Sequence, residues 1–415
     1  MSARRHCQTL ARTTSLCRII RQLLFAANLM NKSERKRALA AIFACVTIYG
    51  LTLGLIRPLV ALILESRGTE KSLIGLNATM PAFGMLIIAP LIPLLIRKMG
   101  IRNFLLSCLT LDVCMILFYP LFDHLYAWMI IGLIAGAATN ALLVASETWI
   151  NEIAVDATRG RVMATYNALF IFSMALGPLV IPLAGIEGWA PFLIGSFFVA
   201  MASIPLFWVG STNMTLQGKS SFNLVSFVLV APVICMAIIL FAWKEFAGSS
   251  LLPVYGVGNG LSQSEAAIML TALGVGGLIL TFPFGWLADH MDRYKLLLLC
   301  GVGILIGAIA LPVVIDKGAA LWIMLFFWGG LFAGLYTVIM TIVGQRFRGM
   351  ELVVANISIG ILWGLGSLTG PSLTGLAMDI WDPHGFVVVF VLASLVFVLF
   401  SWIRWLRAED KAAVL

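Results

Sequence analysis

Uninterrupted apolar runs of about 20 residues recur along the whole sequence, and they restrict its fold more than any other feature. The run LLLLCGVGILIGAIALPVVI at 296–315 has the length that a helix needs to cross the hydrocarbon of a bilayer. Hydrocarbon offers the backbone no hydrogen-bond partner, so such runs form helices unless strands close into a barrel, and the alternating polarity of barrel strands is absent. Since 61% of the residues are hydrophobic and only 11% are charged, the sequence predicts an all-α membrane protein.

Twelve membrane-spanning helices are predicted when the sequence is divided at its charged turns and its Gly- and Pro-rich turns. The approximate spans are 38–64, 72–96, 103–122, 127–150, 161–185, 190–210, 224–255, 265–287, 296–315, 319–343, 352–378 and 386–406. The polar segment STNMTLQGKSSFN at 211–223 separates the sixth span from the seventh and is the natural domain boundary. The predicted organisation is a basic tail (1–37), a six-helix bundle (38–210), a cytoplasmic linker (211–223), a second six-helix bundle (224–406) and a carboxyl-terminal tail (407–415).

The distribution of basic residues predicts the orientation of these spans. Cytoplasmic connections retain Lys and Arg, and 22 of the 27 basic residues fall in the two tails or in alternate connections that begin with RKMGIR at 97–102. Only Arg67, Lys71 and Lys317 fall on the opposite side. Both termini are therefore expected in the cytoplasm. The net charge of +8 reflects this topology, and no basic patch predicts a nucleic-acid partner.

The first 29 residues have a composition of their own, with five arginines, several Ser and Thr residues and no acid. Such a composition is found in transit peptides. The alternative is an upstream extension of the reading frame, in which case Met30 is the working start. Neither interpretation changes the membrane part.

The charged turn GWLADHMDRYK at 285–295 reveals an internal repeat. A shift of about 192 residues places it on PLLIRKMGIRN at 93–103, which is the basic turn between spans two and three. Gly177 and Pro178 of span five fall on Gly370 and Pro371 of span eleven at an offset of 193. A repeat of this kind predicts two pseudo-symmetric six-helix bundles with the same orientation.

These features together resemble the major facilitator superfamily of secondary transporters, over essentially all of residues 38–406. The family's turn has a Gly-x-Leu-Ala-Asp pattern followed by basic residues, and the second copy matches it at Gly285, Leu287, Ala288, Asp289, Arg293 and Lys295. The first copy has Pro93 and Arg97 in place of the Gly and the Asp but keeps Gly100 and Arg102. The connection NEIAVDATRGR at 151–161 resembles the family's acidic and Arg-Gly connection and contains Arg159.

The resemblance implies a transporter that exposes a central site to each side of the membrane in turn. Charges at the cytoplasmic mouth then act as a gate: Asp289 with Arg293 in the second half, and Arg97 with an acid such as Glu147 or Glu152. The predicted gate set is Gly285, Asp289, Arg293, Arg97, Gly100, Glu147 and Arg159. The alternative is that these residues serve only as topology signals and solvated turn residues.

Three charged residues inside predicted spans point to the central site. A charge near the bilayer centre costs about 2.5–3.5 kcal/mol, so it requires a partner or an aqueous cavity. Arg57 lies 19 residues into span one, and Lys244 and Glu245 lie about 20 residues into span seven, at a similar depth. The resemblance implies that spans one, four, seven and ten line the cavity, which favours an ion pair between Arg57 and Glu245. Adjacent residues diverge by about 100° on an α-helix, so at most one of Lys244 and Glu245 is expected to face the cavity.

Two interpretations of this charged group remain open. Glu245 can serve as the proton-coupling acid while Arg57 or Lys244 attracts an anionic substrate. Alternatively, Arg57 and Glu245 form a structural ion pair near the outer interface, and Lys244 extends towards the headgroups.

Uncharged residues add candidates for substrate contact. Trp328, Phe332 and Tyr336 follow one another at four-residue spacing in span ten, a stripe that binds rings or sugars if it faces the cavity and otherwise only packs. Asn140 of span four can bond to substrate or bridge two helices. Asp112 of span three is expected to bond to a neighbouring helix, because the resemblance implies a peripheral position for that span.

The sequence contains no pattern typical of an enzyme or an ATP-driven pump. All four histidines lie in tails or connections, the seven cysteines have no C-x-x-C spacing, and a phosphate-binding Gly-Lys-Ser/Thr loop is missing. We therefore expect no metal site and no cofactor. The expected partners are a small-molecule substrate, the lipid bilayer and protons, for a monomer in a bacterial inner membrane. A transporter-like receptor that binds a ligand without net transport is the alternative function.

Overall fold

The computed structural model describes residues 32–153, 159–207, 231–347 and 350–413. The amino-terminal extension with Met30, and the predicted linker at 211–223, lie outside these residues. The described chain is helical, which confirms the predicted all-α class. It begins with a helix at Lys32, so the last residues of the predicted basic tail belong to the first helix.

The helices follow the predicted spans closely and are numbered here in chain order. They are α1 (Lys32–Ser66), α2 (Lys71–Met99), α3 (Ile101–Leu121), α4 (Leu125–Ile153), α5 (Arg161–Ala184), α6 (Ala190–Phe207), α7 (Pro232–Gly258), α8 (Gln263–His290), α9 (Arg293–Val314), α10 (Ala319–Arg346), α11 (Met350–Ile380) and α12 (Gly385–Ala413). Short 3₁₀ turns interrupt α2 at Ala89–Leu91 and α5 at Gly177–Leu179, in each case around a proline. A π-helical turn interrupts α7 at Lys244–Gly248.

Eleven of these helices are long and apolar enough to cross a membrane, by length and composition, within the described chain. The remaining long helix, α11, contains many Gly, Ser and Thr residues. Its small residues permit close packing: Gly366 contacts Ala242 of α7, and Gly375 contacts the carbonyl of Lys71 on α2. A twelfth crossing by α11 therefore stays a prediction.

The same pattern of helix pairs occurs in the two halves of the described chain. In the first half α1 packs on α5, α2 on α4 and α3 on α6. In the second half the equivalent pairs are α7 with α11, α8 with α10 and α9 with α12. Between the halves α2 contacts α11, α5 contacts α8 and α1 contacts α7. This arrangement agrees with the internal repeat that the charged turns predicted.

The two ends of the bundle are identified by contacts between connections. At one end Arg102, after the α2–α3 turn, bonds to the carbonyl of Phe207 at the end of α6, and Arg346 of α10 bonds to Tyr294 after the α8–α9 turn. We call this the basic end, because most of the Lys and Arg residues belong to it. At the opposite end, the far end, Arg67 after α1 bonds to Asp123 between α3 and α4.

Large apolar side chains cover the outer surface of the bundle. Phe282, Ile306, Leu392 and Ile380 are among many that are exposed. A soluble monomer rarely exposes so much continuous apolar surface. Contact with lipid accounts for it.

The charged turns at the basic end begin and end helices. Gly100 ends α2 and begins α3 with a φ of 76°, a left-handed backbone conformation that favours glycine. In the second turn, Asp292 accepts a hydrogen bond of 2.9 Å from the backbone N–H of Lys295 and caps α9. Part of the charge in this turn therefore serves local structure.

Candidate substrate cavity and gates

A cavity of about 680 Å³ lies between the two halves of the bundle. Residues of α1, α4, α7 and α10 line it, as predicted, and residues of α5, α8 and α12 complete the wall. Its volume is typical of sites for drug-sized molecules. The lining is mostly apolar and aromatic, with polar side chains from Glu147, Tyr166, Asn167, Lys244, Glu245, Ser249, Thr281, Tyr336, Thr337 and Thr341.

The predicted ion pair between the halves is present beside this cavity. Nη1 of Arg57 on α1 lies 3.9 Å from Oε1 of Glu245 on α7, and the two side chains are only 11% and 12% exposed. The same guanidinium donates a hydrogen bond of 3.3 Å to the backbone carbonyl of Glu245 and lies 4.3 Å from the ring centroid of Phe246. Arg57 is therefore held by three different interactions with the opposite half.

The prediction that Lys244 and Glu245 diverge was wrong. Both line the cavity, and Nζ of Lys244 lies 3.4 Å from Oε2 of Glu245. Both residues lie in the π-helical turn at Lys244–Gly248, and the ends of their long side chains meet although their backbone positions diverge. The carbonyl of Glu245 accepts hydrogen bonds from Arg57 and from the hydroxyl of Ser249.

The aromatic stripe of α10 divides between the cavity and the core. Trp328 and Tyr336 line the cavity, whereas Phe332 is fully buried outside it. The indole N–H of Trp328 donates to the carbonyl of Ile304, so this side chain is fixed to α9. Tyr336 stacks on Phe241 at 4.8 Å between ring centroids, and this pair presents an aromatic surface beside Lys244.

Sequence reasoning missed two polar residues of α5. Tyr166 is 1% exposed and lines the cavity, and its hydroxyl has no hydrogen-bond partner in the described chain. Asn167 also lines the cavity and is exposed. Their adjacency in the otherwise apolar run TYNALFIF was the available signal, since a buried hydroxyl without a partner is unfavourable unless a ligand satisfies it.

Asn140 and Asp112 lie outside the cavity. Asn140 is 7% exposed and shares a face of α4 with Glu147, but the lining of α4 begins one turn nearer the basic end, at Leu143. A substrate contact by Asn140 therefore has no support in this conformer. Asp112 is 3% exposed on α3 and forms no hydrogen bond or ion pair with the described residues, so the expected bond to a neighbouring helix is not seen.

The halves are held together at the far end by Asp379, a residue that the sequence did not indicate. Its carboxylate accepts hydrogen bonds from the backbone N–H groups of Lys71, at 2.7 Å, and Ser72, at 3.0 Å. These groups form the first turn of α2, which has no side-chain cap of its own. Asp379 of α11 therefore caps a helix of the opposite half. Nearby, the α-carbons of Gly75 and Gly375 lie against backbone carbonyls of the other half.

At the basic end the predicted gate residues are separate in this conformer. Arg97 and Asp289 are exposed, and neither forms an ion pair or hydrogen bond with any described residue. Asp289 is thus not paired with Arg293, whose Nε is buried without a partner. Gly285 is half-buried, and a side chain there would meet nothing within 4 Å.

The remaining gate candidates have different positions. Glu147 is half-buried, lines the cavity on its basic-end side and has interactions of its own. Arg159 begins the helix that leads into α5, and its side chain lies outside the described part of the chain, as does that of Glu152. The cavity lining extends towards the basic end as far as Asn167 and Thr341, and at the far end Asp379 and the glycine contacts join the halves. Pairing of gate charges therefore stays a prediction for another conformer.

Comparison with known proteins gives relatives over most of the chain. The MFS-type transporter YfkF of Bacillus subtilis (strain 168) is 25% identical over 352 residues, which are 81% of this chain and 88% of the relative. The MFS-type transporter YcaD of Escherichia coli O9:H4 (strain HS) is 23% identical over 285 residues, 66% of this chain and 71% of the relative.

Solved structures share the fold at low sequence identity. The nucleoside transporter NupG has a TM-score of 0.71 at 12% identity, over 90% of this chain and 98% of that one. The D-xylose-proton symporter has a TM-score of 0.70 at 16% identity, over 90% of this chain and 98% of that one. A bacterial homologue of the human lysosomal transporter Spinster, solved inward-facing and unoccupied, has a TM-score of 0.68 at 13% identity, over 90% of this chain and 96% of that one.

The family assignment depends on the extent of these matches. The model of the Major Facilitator Superfamily matches residues 42–349 and 234–414, which together cover both halves of the bundle. With the helix pairing and the central cavity, these matches show that the chain is a multi-pass membrane protein and belongs to the major facilitator superfamily of transporters, which are not enzymes.

Proposed function

We propose that the protein is a secondary active transporter that moves a small organic molecule by alternating access, coupled to protons through Glu245. The observation that carries this proposal is the ion pair between Arg57 and Glu245, which joins the two halves at the cavity wall. A charge pair between moving bodies can favour one arrangement over another only if its energy differs between them. Protonation of Glu245 would weaken this pair, and a proton would thereby bias the tilt of the halves.

The charged surroundings of Glu245 suit a site of this kind. Arg57 and Tyr49 face it from α1, Lys244 from α7 and Tyr336 from α10. Two of these groups are cations that form ion pairs with its carboxylate. The structural neighbour that is a D-xylose-proton symporter supports the view that this fold accommodates proton coupling.

The proposed setting is the inner membrane of a bacterium. The protein would cross it twelve times as a monomer, with α11 as one of the crossings. The positive-inside rule supports a cytoplasmic basic end, and with it both termini in the cytoplasm. On that orientation the contacts of Asp379 would hold the halves together on the outer side in this conformer. A receptor that binds without net transport is the alternative, and flux measurements separate the two.

Reconstituted vesicles with and without a pH gradient test this function. A panel of organic acids, sugars and nucleosides is screened for uptake or efflux by the wild-type protein and by Glu245→Gln. We expect at least one compound to be moved by the wild type faster with the gradient, and the variant to lose that acceleration. Ligand binding without flux by the wild type would favour the receptor. A variant with an unchanged pH dependence would exclude Glu245 as the coupling acid.

A further inference from the structure

We infer that the cavity takes an organic anion with an aromatic or apolar body, and that its carboxylate or equivalent anionic group binds at Lys244. This inference rests on the proposed transport function and names the substrate class of the same site. Three features carry it: two cations around the carboxylate of Glu245, an aromatic surface beside Lys244, and a tyrosine hydroxyl on α5 without a partner in the described chain.

Two cations share the carboxylate of Glu245. Glu245 lies 3.9 Å from Arg57 and 3.4 Å from Lys244, so each oxygen has one loose partner. Arg57 makes further contacts with the carbonyl of Glu245 and the ring of Phe246. Lys244, by contrast, has Glu245 as its one hydrogen-bond partner among the described residues and lines the cavity. An ammonium has three donors, so Lys244 retains capacity for an incoming anion.

The cavity lining also contains a second carboxylate, Glu147. Glu147 lies on α4 towards the basic end and has interactions of its own. A cationic substrate would have to displace Lys244 or Arg57 to reach Glu245. An anionic substrate meets Lys244 directly.

The aromatic surface lies beside the ammonium of Lys244. Nζ is 5.6 Å from the ring centroid of Phe241, which stacks on Tyr336 and contacts Trp363 at 5.3 Å. Phe241 and Tyr336 both line the cavity. A ring attached to the anionic group can therefore pack on this surface while the anion stays within reach of Lys244.

The facing wall offers a polar contact. Tyr166 of α5 is part of the cavity lining, and its hydroxyl is buried and has no partner within the described chain. A buried hydroxyl without a partner is unfavourable, and a polar substituent of the ligand that reaches it would satisfy it. Substrate recognition would then involve both halves, because α5 and α7 belong to different halves.

The same arrangement links the anion to the proton. When Glu245 takes a proton from solution, Lys244 and Arg57 lose the negative charge that they share, and the substrate's anionic group replaces it. One proton and one monoanion then bind together, and the net charge of the site is the same as in the empty, ionised state. Tyr49 and Tyr336 are the other titratable groups that face Glu245. Anion binding is therefore expected to strengthen when Glu245 is protonated.

Three probes with one ring system and different charges test the substrate class. The full-length protein in lipid nanodiscs is titrated calorimetrically with 2-naphthoate, 2-naphthamide and 2-naphthylmethylammonium. We expect 2-naphthoate to bind at least tenfold more tightly than the other two. Lys244→Met should weaken its binding at least tenfold, while Lys244→Arg should retain most of it. Lys317→Met, at an exposed lysine of the α9–α10 connection, is the matched control and should not change it.

Several outcomes would overturn the inference. These are equal binding of the amide, tightest binding of the ammonium compound, no binding of 2-naphthoate at millimolar concentration, or binding that Lys244→Met leaves intact. Glu245→Gln gives a further check, because it should bind 2-naphthoate at least as tightly as the wild type and lose the pH dependence. The flux assay separates failure of the anion inference from failure of the proposed transport function. Transport of a neutral or cationic compound would reject the anion and leave the transport function intact.

Discussion

The two ends of the molecule differ in how they join the halves. At the far end Asp379 caps the first turn of α2, and Gly75 and Gly375 allow the backbones of α2 and α11 to touch. At the basic end Arg97 and Asp289 are exposed without a partner among the described residues, and Gly285 has open space around it. The far end thus joins the halves by backbone contacts and a helix cap. The basic end presents charged and small residues that make no such contact among the described residues.

The difference between the two ends indicates which contacts favour the conformer described here. A two-state protein changes its preferred state when contacts present in only one state are altered. The far-end contacts belong to the conformer described here. The basic-end residues are candidates for the opposite conformer, and substitutions at the two ends should therefore have opposite effects.

The largest effect is expected from a bulky residue at Gly375. A side chain there would meet the carbonyl of Lys71, which is backbone and cannot move aside on its own. Overpacking of this kind costs about 1–3 kcal/mol, so Gly375→Val should reduce the far-end-closed population about tenfold or more. Gly285→Val is the matched substitution at the basic end and should leave the far-end-closed population unreduced. The populations are measured by pulsed electron paramagnetic resonance between spin labels on the two halves.

A smaller shift is expected when the cap across the halves is weakened. Asp379→Asn removes the charge and keeps the shape, and an exposed cap of this kind contributes about 1 kcal/mol. We expect the far-end-closed population to fall about fivefold by the same spin-label measurement. Asp316→Asn, in the exposed α9–α10 connection, is the control for loss of a far-end acid. An equal response of the two variants would mean that Asp379 acts only through surface charge.

The smallest effect on stability is expected at Asp289. Because it is exposed and without a described partner, Asp289→Asn should change the stability of this conformer by less than about 0.5 kcal/mol in thermal unfolding. The transport rate of Asp289→Asn should nevertheless fall, because the carboxylate of Asp289 is predicted to form gate contacts in the opposite conformer. Normal insertion with unchanged transport would remove Asp289 from the gate.

The sequence predicted the helices and the central ion pair because both follow from simple costs. Hydrocarbon demands helices of a fixed length, and a charge at depth demands a partner. Arg57 and Glu245 could therefore be paired from their similar depth, together with the cavity-lining positions that the family resemblance implies for spans one and seven. The prediction that Lys244 and Glu245 diverge failed, because the ends of two long side chains can meet even when the residues are adjacent on a helix. The π-helical turn that contains both residues was not predicted from the sequence.

Residues whose role depends on the other half were the hardest to find. Asp379 occurs at the end of a helix before a polar connection, where an acid is ordinary, and only the packing of α11 on α2 gives it a role. Tyr166 lies in a helix that was not expected to line the cavity. Asn140 was a candidate for substrate contact because span four was expected to line the cavity, although the lining of α4 begins one turn further along.

Opposite movement of the two ends is the most direct test of the central claim that the halves tilt about the cavity. Label pairs are placed on exposed residues of different halves, Asp123→Cys with Asp316→Cys at the far end and Lys98→Cys with Met291→Cys at the basic end, after replacement of the seven native cysteines. Distances are measured by pulsed electron paramagnetic resonance as the pH is lowered in lipid nanodiscs. We expect one distance to lengthen while the other shortens, and we expect neither distance to respond to pH in Glu245→Gln. Distances that stay fixed, or that change in the same direction at both ends, would contradict it.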